Sequence, residues 1–191
     1  MRVLLADDDA ERAGALARVL SADPGLTVLR LGGGELLADA VATLNPDIVL
    51  VDMARPDRDA LDGIRQISVR APRPVALFVD QDDPTFMEEA ISAGVSSYNA
   101  LGLPPPDVKP ILRSAIAMFR RHQDMRDGLD RAEAKLRERQ TIDRAKAILI
   151  RDRRLDEPDA YRWLRRQSMT RGRRIFEIAL EIVRAKEGDA A

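Results

Sequence analysis

Five short apolar runs, "VLLA", "LTVLRL", "DIVLVDM", "PVALFVD" and "VSSYNA", recur through the first hundred residues with helix-like segments between them. Continuous apolar strands of this kind need cover on both faces. Alternation with helices therefore predicts a parallel sheet sandwiched between helical layers. A chain of 191 residues, 45% of them hydrophobic, is long enough for that domain and a smaller module.

Five strand–helix units in about 110 residues fit an α/β, flavodoxin-like, doubly wound domain, assigned to residues 1–108. In such a sheet, groups at the carboxyl ends of the strands converge on one crevice. The first strand delivers Asp7 and Asp8 there, and the third delivers Asp52. Without cysteines, disulfides, cysteine-based zinc sites and thiol catalysis are excluded, and one histidine cannot make a histidine-rich metal site. No apolar run approaches the roughly 20 residues of a membrane span, and no leader-like segment opens the chain. The expectation is a cytoplasmic protein without a membrane partner.

Charge is unevenly distributed. Residues 1–108 hold 9 Lys/Arg against 18 Asp/Glu, residues 109–140 hold 9 against 5, and residues 141–187 hold 13 against 8. An acidic first domain joined to a basic second half points to a polyanion as partner of the second half, with a merely solvated face as the alternative. Between Ile111 and Glu157 there is no proline. Ile111, Ala115, Met118, His122, Met125, Leu129, Ala132 and Leu136 recur at alternating spacings of four and three. That heptad seam predicts a coiled-coil linker helix over 109–137, able to pair two copies of the chain.

Residues 138–187 read as a three-helix bundle. Ile142, Ala145, Ile148 and Leu149 share one face of the first helix. Asp156 N-caps the second, whose apolar face is Ala160, Tyr161, Leu164 and Met169. Gly172 ends it, and the third buries Ile175, Ile178, Ala179, Ile182 and Val183.

"LLADDD" and "VLVDMARPD" together resemble the receiver domain of two-component response regulators. The resemblance implies that Asp7 and Asp8, with Asp52, hold Mg²⁺, that Asp52 is the phosphoacceptor, and that Pro56 belongs to the loop after it. Oxygen donors suit Mg²⁺, which would offset the repulsion among these carboxylates. The pattern departs elsewhere. Val79 stands where the family carries Ser or Thr, and Leu101 where it carries lysine, so neither can engage phosphoryl oxygens. Phosphotransfer is accordingly in doubt, with a retained structural pocket as the favoured reading. Tyr98, at the family's switch aromatic, is expected to pack at the strand end. Asp7 and Asp9 also share the DxD spacing of haloacid-dehalogenase phosphatases, but Glu11 replaces Thr or Val, and no enzyme is expected.

The C-terminal stretch resembles the ANTAR domain, an RNA-binding antiterminator module. Ala145, Lys146, Ile148 and Leu149 match its first segment, Ala160, Tyr161, Leu164 and Arg165 its second, and Met169, Ala179, Ile182 and Val183 the remainder. Ala147 and Ser168 replace a glycine and an alanine. The resemblance implies binding of paired hairpins in a nascent leader transcript. Arg144, Ala145, Lys146, Arg151, Tyr161, Arg165, Arg166, Arg171, Arg173 and Arg174 are the candidate contacts. Trp163 is a stacking candidate or a packing residue. "VDMARPDRDAL" and "ALFVDQDD" further resemble the NasT-type subgroup of nitrate-assimilation antiterminators, which implies control by sequestration on a nitrate- or nitrite-sensing, periplasmic-binding-protein-like sensor. The competing expectation is a phosphorylation-gated response regulator acting as a protein-interaction adaptor or on DNA.

Overall fold

The computed structural model describes residues 1–7, 9–54, 58–100 and 108–188. Asp8, Pro56 and Leu101 lie outside that set. The chain forms two compact units, Met1–Gln123 and Asp124–Ala191.

The first unit is an alternating α/β layer structure: β1 Arg2–Asp7, α1 Ala10–Ser21, β2 Thr27–Arg30, α2 Leu37–Leu44, β3 Ile48–Met53, α3 Arg58–Arg70, β4 Val75–Val79, α4 Pro84–Ala93, β5 Ser97–Asn99 and the start of α5 Lys109–Arg153. All strand pairs are parallel in the order β2-β1-β3-β4-β5, the flavodoxin-like winding expected from the sequence. Alternation along the strands divides the core into two. Leu4, Ala6, Val49, Val51, Leu77 and Val79 face one layer with Ile64, Ile67 and Phe86. Val3, Leu5, Ile48, Leu50, Ala76 and Phe78 face the other with Leu16, Leu20, Leu112 and Ala115. Every residue of β3 and β4 is buried, which is why those runs, Asp52 apart, are apolar without a polar face.

The same packing shifts the boundary drawn at residue 108. Leu112 and Ala115 are wholly buried in the sheet's second core, with Ile111 packed against it. Ile111 and Ala115, taken from the sequence as coiled-coil positions, are therefore core residues of the first unit. Farther along α5, Met118, Met125, Leu129 and Leu136 are half-exposed or more. Lys109 Nζ donates to both carboxylate oxygens of Asp23 at 2.7 and 2.9 Å, fixing the start of α5 to the turn after α1.

In the second unit, the C-terminal part of α5 packs with α6 Glu157–Arg171 and α7 Ile175–Gly188. Its core is Ala145, Leu149, Ala160, Leu164, Ile178, Ala179 and Val183, with Ile142, Ile148, Ile175 and Ile182 partly buried around it. The Asp156 side chain caps α6 by accepting from Asp159 N at 2.7 Å, and Gly172 ends it at φ +61°. Two residues depart from the expected apolar face: Tyr161 is 45% exposed and Met169 75%. Ala160 and Leu164 are four apart, whereas Met169 follows five after Leu164 and is rotated off the buried stripe.

Gly94 closes α4 at φ +111°, and a Cβ there would lie 2.1 Å from Ser68 Oγ, which donates to Ala93 O at 2.9 Å. Gly94→Ala is predicted to destabilise the first unit by about 2 kcal/mol or more, from backbone strain plus the clash. A urea unfolding midpoint equal to that of the unaltered chain would contradict this packing.

Candidate functional site

Two sites follow from the fold, one in each unit. In the first, β1 and β3 lie side by side with Asp7 opposite Asp52 in register. Both side chains are fully shielded from solvent. Adjacent parallel strands hold their Cα atoms about 5 Å apart, so two buried carboxylates meet at the sheet edge. Like charges in such a setting require a counter-charge.

The counter-charge among the described residues is Arg12. Asp9 caps α1, its Oδ1 accepting from Glu11 N at 2.8 Å and Arg12 N at 3.0 Å, and Asp9 N in turn donates to Asp7 Oδ1 at 2.9 Å. These backbone hydrogen bonds, from Arg12 first and Glu11 second, hold the Asp9 carboxyl below its ordinary value. The DxD spacing of Asp7 and Asp9 is thus that of a helix cap. Helical side chains lean toward the N-terminus, and Arg12 reaches back over the strand ends. Its Nε donates to Asp7 Oδ2 at 3.1 Å and lies 3.5 Å from Asp52 Oδ2, while Nη1 reaches Asp80 Oδ2 at 3.4 Å. Burial opposes the charge on Arg12. The hydrogen bond to Asp7 and the charges of Asp52, Asp7 and Asp80 outweigh that, so its pKa is raised.

A cation in the first turn of a helix is disfavoured by the helix dipole by about 0.3–1 kcal/mol. Its presence there is accounted for by the carboxylates it meets. Sequence reading missed Arg12. The available signal was an arginine three residues past a cap, behind three aspartates.

The donor chemistry of Asp7 and Asp52 suits a divalent ion, but the guanidinium spans both. With Arg12 in this position Asp7 and Asp52 do not also fit a resident Mg²⁺, while Asp8, the third carboxylate of the expected site, lies outside the described residues. Beside Asp52, a cleft of about 370 Å³ has Asp7, Glu35, Asp52, Asp62 and Gln66 as its polar lining. Glu35 and Asp62 add negative charge to this lining, which holds no cation to receive a phosphoryl dianion. Val79 is fully buried and apolar. Tyr98 packs its ring against Phe86, centroids 6.4 Å apart, as expected of a strand-end packing residue.

In the second unit the ten nucleic-acid candidates separate. Ala145 is wholly buried where the helices cross, which corrects its assignment as a contact: no atom of its side chain reaches solvent. Lys146 Nζ bridges Asp143 at 2.7 Å and Glu157 at 2.9 Å with 17% of its side chain exposed, tying α5 to the start of α6. Arg151 pairs with Asp152 at 2.8 Å. Arg171 pairs with Glu181 at 3.0 Å, and Arg173 with Glu177 at 3.1 Å and with Glu181. Arg174 approaches Glu138 at 3.9 Å, and Arg144 is exposed.

Arg165 and Arg166 are exposed on α6 and make no ion pair among the described residues. Tyr161, Arg165 and Met169, four apart, form one exposed stripe. Trp163 is partly buried under Arg153, whose guanidinium lies 4.6 Å from the ring centroid. The geometry favours packing for Trp163 and exposure for Tyr161. No helix among the described residues is long and apolar enough to cross a membrane.

Lys146 supplies a titration test. Its hydrogen bond lowers the Asp143 carboxyl below 3.8, and hydrogen bonds to Asp143, then Glu157, raise the Lys146 ammonium. The stability due to Asp143 is present above its unfolded value and lost as pH falls through the lower folded value. In Lys146→Met the Asp143 carboxyl is predicted to titrate nearer 3.8 by NMR, with a smaller acid loss of stability. Unchanged titration would mean the pair is not formed in solution.

Comparison with known proteins bears on both units. The response regulator receiver domain family matches residues 3–99, and the ANTAR domain family matches residues 130–183. The transcriptional regulatory protein PdtaR of Mycobacterium tuberculosis is 27% identical over 183 residues, covering 94% of this chain and 89% of that protein. A protein-glutamate methylesterase/protein-glutamine glutaminase of Rhizobium johnstonii is 30% identical over 106 residues, 55% of this chain but 30% of the enzyme. The chain spans less than a third of that relative's length, and the methylesterase activity does not transfer. The BeF₃-activated receiver domain of RstA from Klebsiella pneumoniae matches with a TM-score of 0.50 at 22% identity, covering 61% of this chain and 98% of that one, a likeness of fold.

Proposed function

From the premise that this chain belongs to the response regulator receiver family and carries an ANTAR domain after its receiver, we propose that it is an RNA-binding transcription antiterminator working without phosphorylation. Its ligand is a pair of hairpins in a nascent leader transcript, held so that an overlapping terminator cannot form. The observation that carries this is the exposed stripe on α6. Tyr161 supplies a stacking face and Arg165, one turn on, a guanidinium not already spent on a carboxylate, with Arg166, exposed and likewise without an ion pair among the described residues, turned off the stripe beside it. RNA loops present splayed bases and phosphates that call for this pairing of groups. Arg171 and Arg173 are committed to Glu177 and Glu181, and their exposed pairs are weak enough for phosphate to displace.

The half-exposed Met118, Met125, Leu129 and Leu136 on α5 support homodimerisation through a coiled coil, which would present two modules to two hairpins. The buried, arginine-bound Asp52 and the apolar Val79 support control by a protein partner. The partner reading is a nitrate- or nitrite-sensing, periplasmic-binding-protein-like sensor that sequesters the regulator, drawn from the likeness of "VDMARPDRDAL" and "ALFVDQDD" to the nitrate-assimilation subgroup.

Arg165→Ala combined with Arg166→Ala is predicted to weaken binding of a two-hairpin RNA by about tenfold or more and to shallow the salt dependence by about 0.7–0.9 per lost phosphate contact. Melting of the second unit should not change. Affinity and slope equal to those of the unaltered chain would refute the α6 assignment. Leu129→Asp is predicted to shift sedimentation equilibrium toward monomer, and an unaltered mass distribution would remove the coiled-coil dimer from the reading.

A further inference from the structure

We infer that Arg12 is the resident cation of the receiver's acidic pocket, standing where a divalent metal would otherwise bridge Asp7 and Asp52, and that this pocket neither takes up Mg²⁺ nor forms an acyl phosphate. The inference holds whether or not the C-terminal module binds RNA, because it stands on the first unit alone.

A single nitrogen, Arg12 Nε, lies 3.1 Å from Asp7 Oδ2 and 3.5 Å from Asp52 Oδ2. A bridging Mg²⁺ would sit about 2.1 Å from its oxygens and keep several waters. The guanidinium fills the space that ion and its waters require. Its single positive charge also offsets one of the carboxylates that would otherwise draw a dication in.

The arrangement is anchored on three sides. Nη1 is 3.4 Å from Asp80 Oδ2, at the end of β4. Asp7 Oδ1 is engaged by Asp9 N at 2.9 Å, and the Asp9 cap fixes the turn of α1 from which Arg12 extends. Arg12 itself is 16% exposed, while the Asp7 and Asp52 side chains are fully enclosed. Because arginine stays protonated at any pH at which the protein is folded, this counter-charge is permanent. A metal ion, by contrast, would come and go with its concentration.

The chemistry of the missing partners agrees. Phosphoryl transfer to a carboxylate needs positive charge on the transferred oxygens. Here the described cation already lies 3.5 Å from the acceptor carboxylate, Val79 offers no hydroxyl, and the adjoining cleft, largely apolar, has carboxylates and a glutamine but no cation in its lining. Arg12 therefore converts a metal-dependent switch into a fixed structural ion cluster.

The experiment uses the full chain, unaltered and as Arg12→Ala and Arg12→Lys, with thermal unfolding in EDTA and in millimolar MgCl₂, and ¹⁹F NMR with beryllofluoride as a phosphoryl mimic. The unaltered chain is expected to melt at the same temperature with and without Mg²⁺ and to show no bound beryllofluoride signal. Arg12→Ala is expected to melt lower in EDTA and to recover part of the loss in MgCl₂, with Arg12→Lys closer to the unaltered chain. A Mg²⁺-dependent rise in melting temperature of the unaltered chain, or a bound beryllofluoride signal on it, would overturn the inference. The signal would mean that Arg12 clamps the phosphoryl group. Arg12→Ala melting with the unaltered chain in EDTA would overturn it equally. Should Arg12→Ala fail to fold, the two measurements on the unaltered chain still decide.

Discussion

Two carboxylates on neighbouring strands, both closed off from water, set the terms for the first unit. Asp7 and Asp52 are placed in register by the β1–β3 pairing, and that pairing is in turn dictated by the apolar alternation of "VLLA" and "IVLV" across two cores. The sheet cannot form without bringing the charges together. Arg12 sets one positive charge between them from the first turn of α1, at a position where a cation works against the helix dipole. The Asp9 cap, the lean of helical side chains and the reach to Asp80 all serve that one contact.

The second unit applies the opposite economy of charge. Its core is built from small and branched aliphatic residues, with Ala145, Ala160 and Ala179 wholly buried where the helices approach. Much of its arginine and lysine complement is held by carboxylates on its own helices, as at Lys146, Arg171 and Arg173. Net basic charge therefore overstates the surface ready for a polyanion. What remains uncommitted on α6 is Arg165, one turn from the exposed Tyr161, and Arg166 beside it, so under the proposed function the electrostatic and stacking components of RNA recognition fall on one helix.

The strand order and the convergence of Asp7 and Asp52 were legible in the sequence because both follow from short-range periodicity and from a general property of wound parallel sheets. The helix ends at Asp156 and Gly172 were legible as local cap chemistry. Arg12 was not, because its role depends on a contact with Asp52, forty residues on, that no local pattern announces. Ile111 and Ala115 fit a heptad as well as they fit the buried face of a sheet-covering helix, and only packing against Leu5 and its neighbours distinguishes the two. Met169 matched a family pattern but is one residue out of step with Leu164. Ala145 shows a different limit: a motif position can be buried in the core between helices.

The account's central claim is that the ANTAR module reads RNA hairpins without a phosphate on the receiver. The direct measurement is a salt titration of the full chain on a two-hairpin leader RNA, with loop-mutated RNA and duplex DNA as controls and no phosphodonor present. Salt slope reports phosphate contacts, and the loop control reports base readout. The account predicts steeply salt-dependent binding that is lost on loop mutation and absent with DNA. Binding that appears only after Asp52 is phosphorylated, or binding indifferent to the loops, would contradict it.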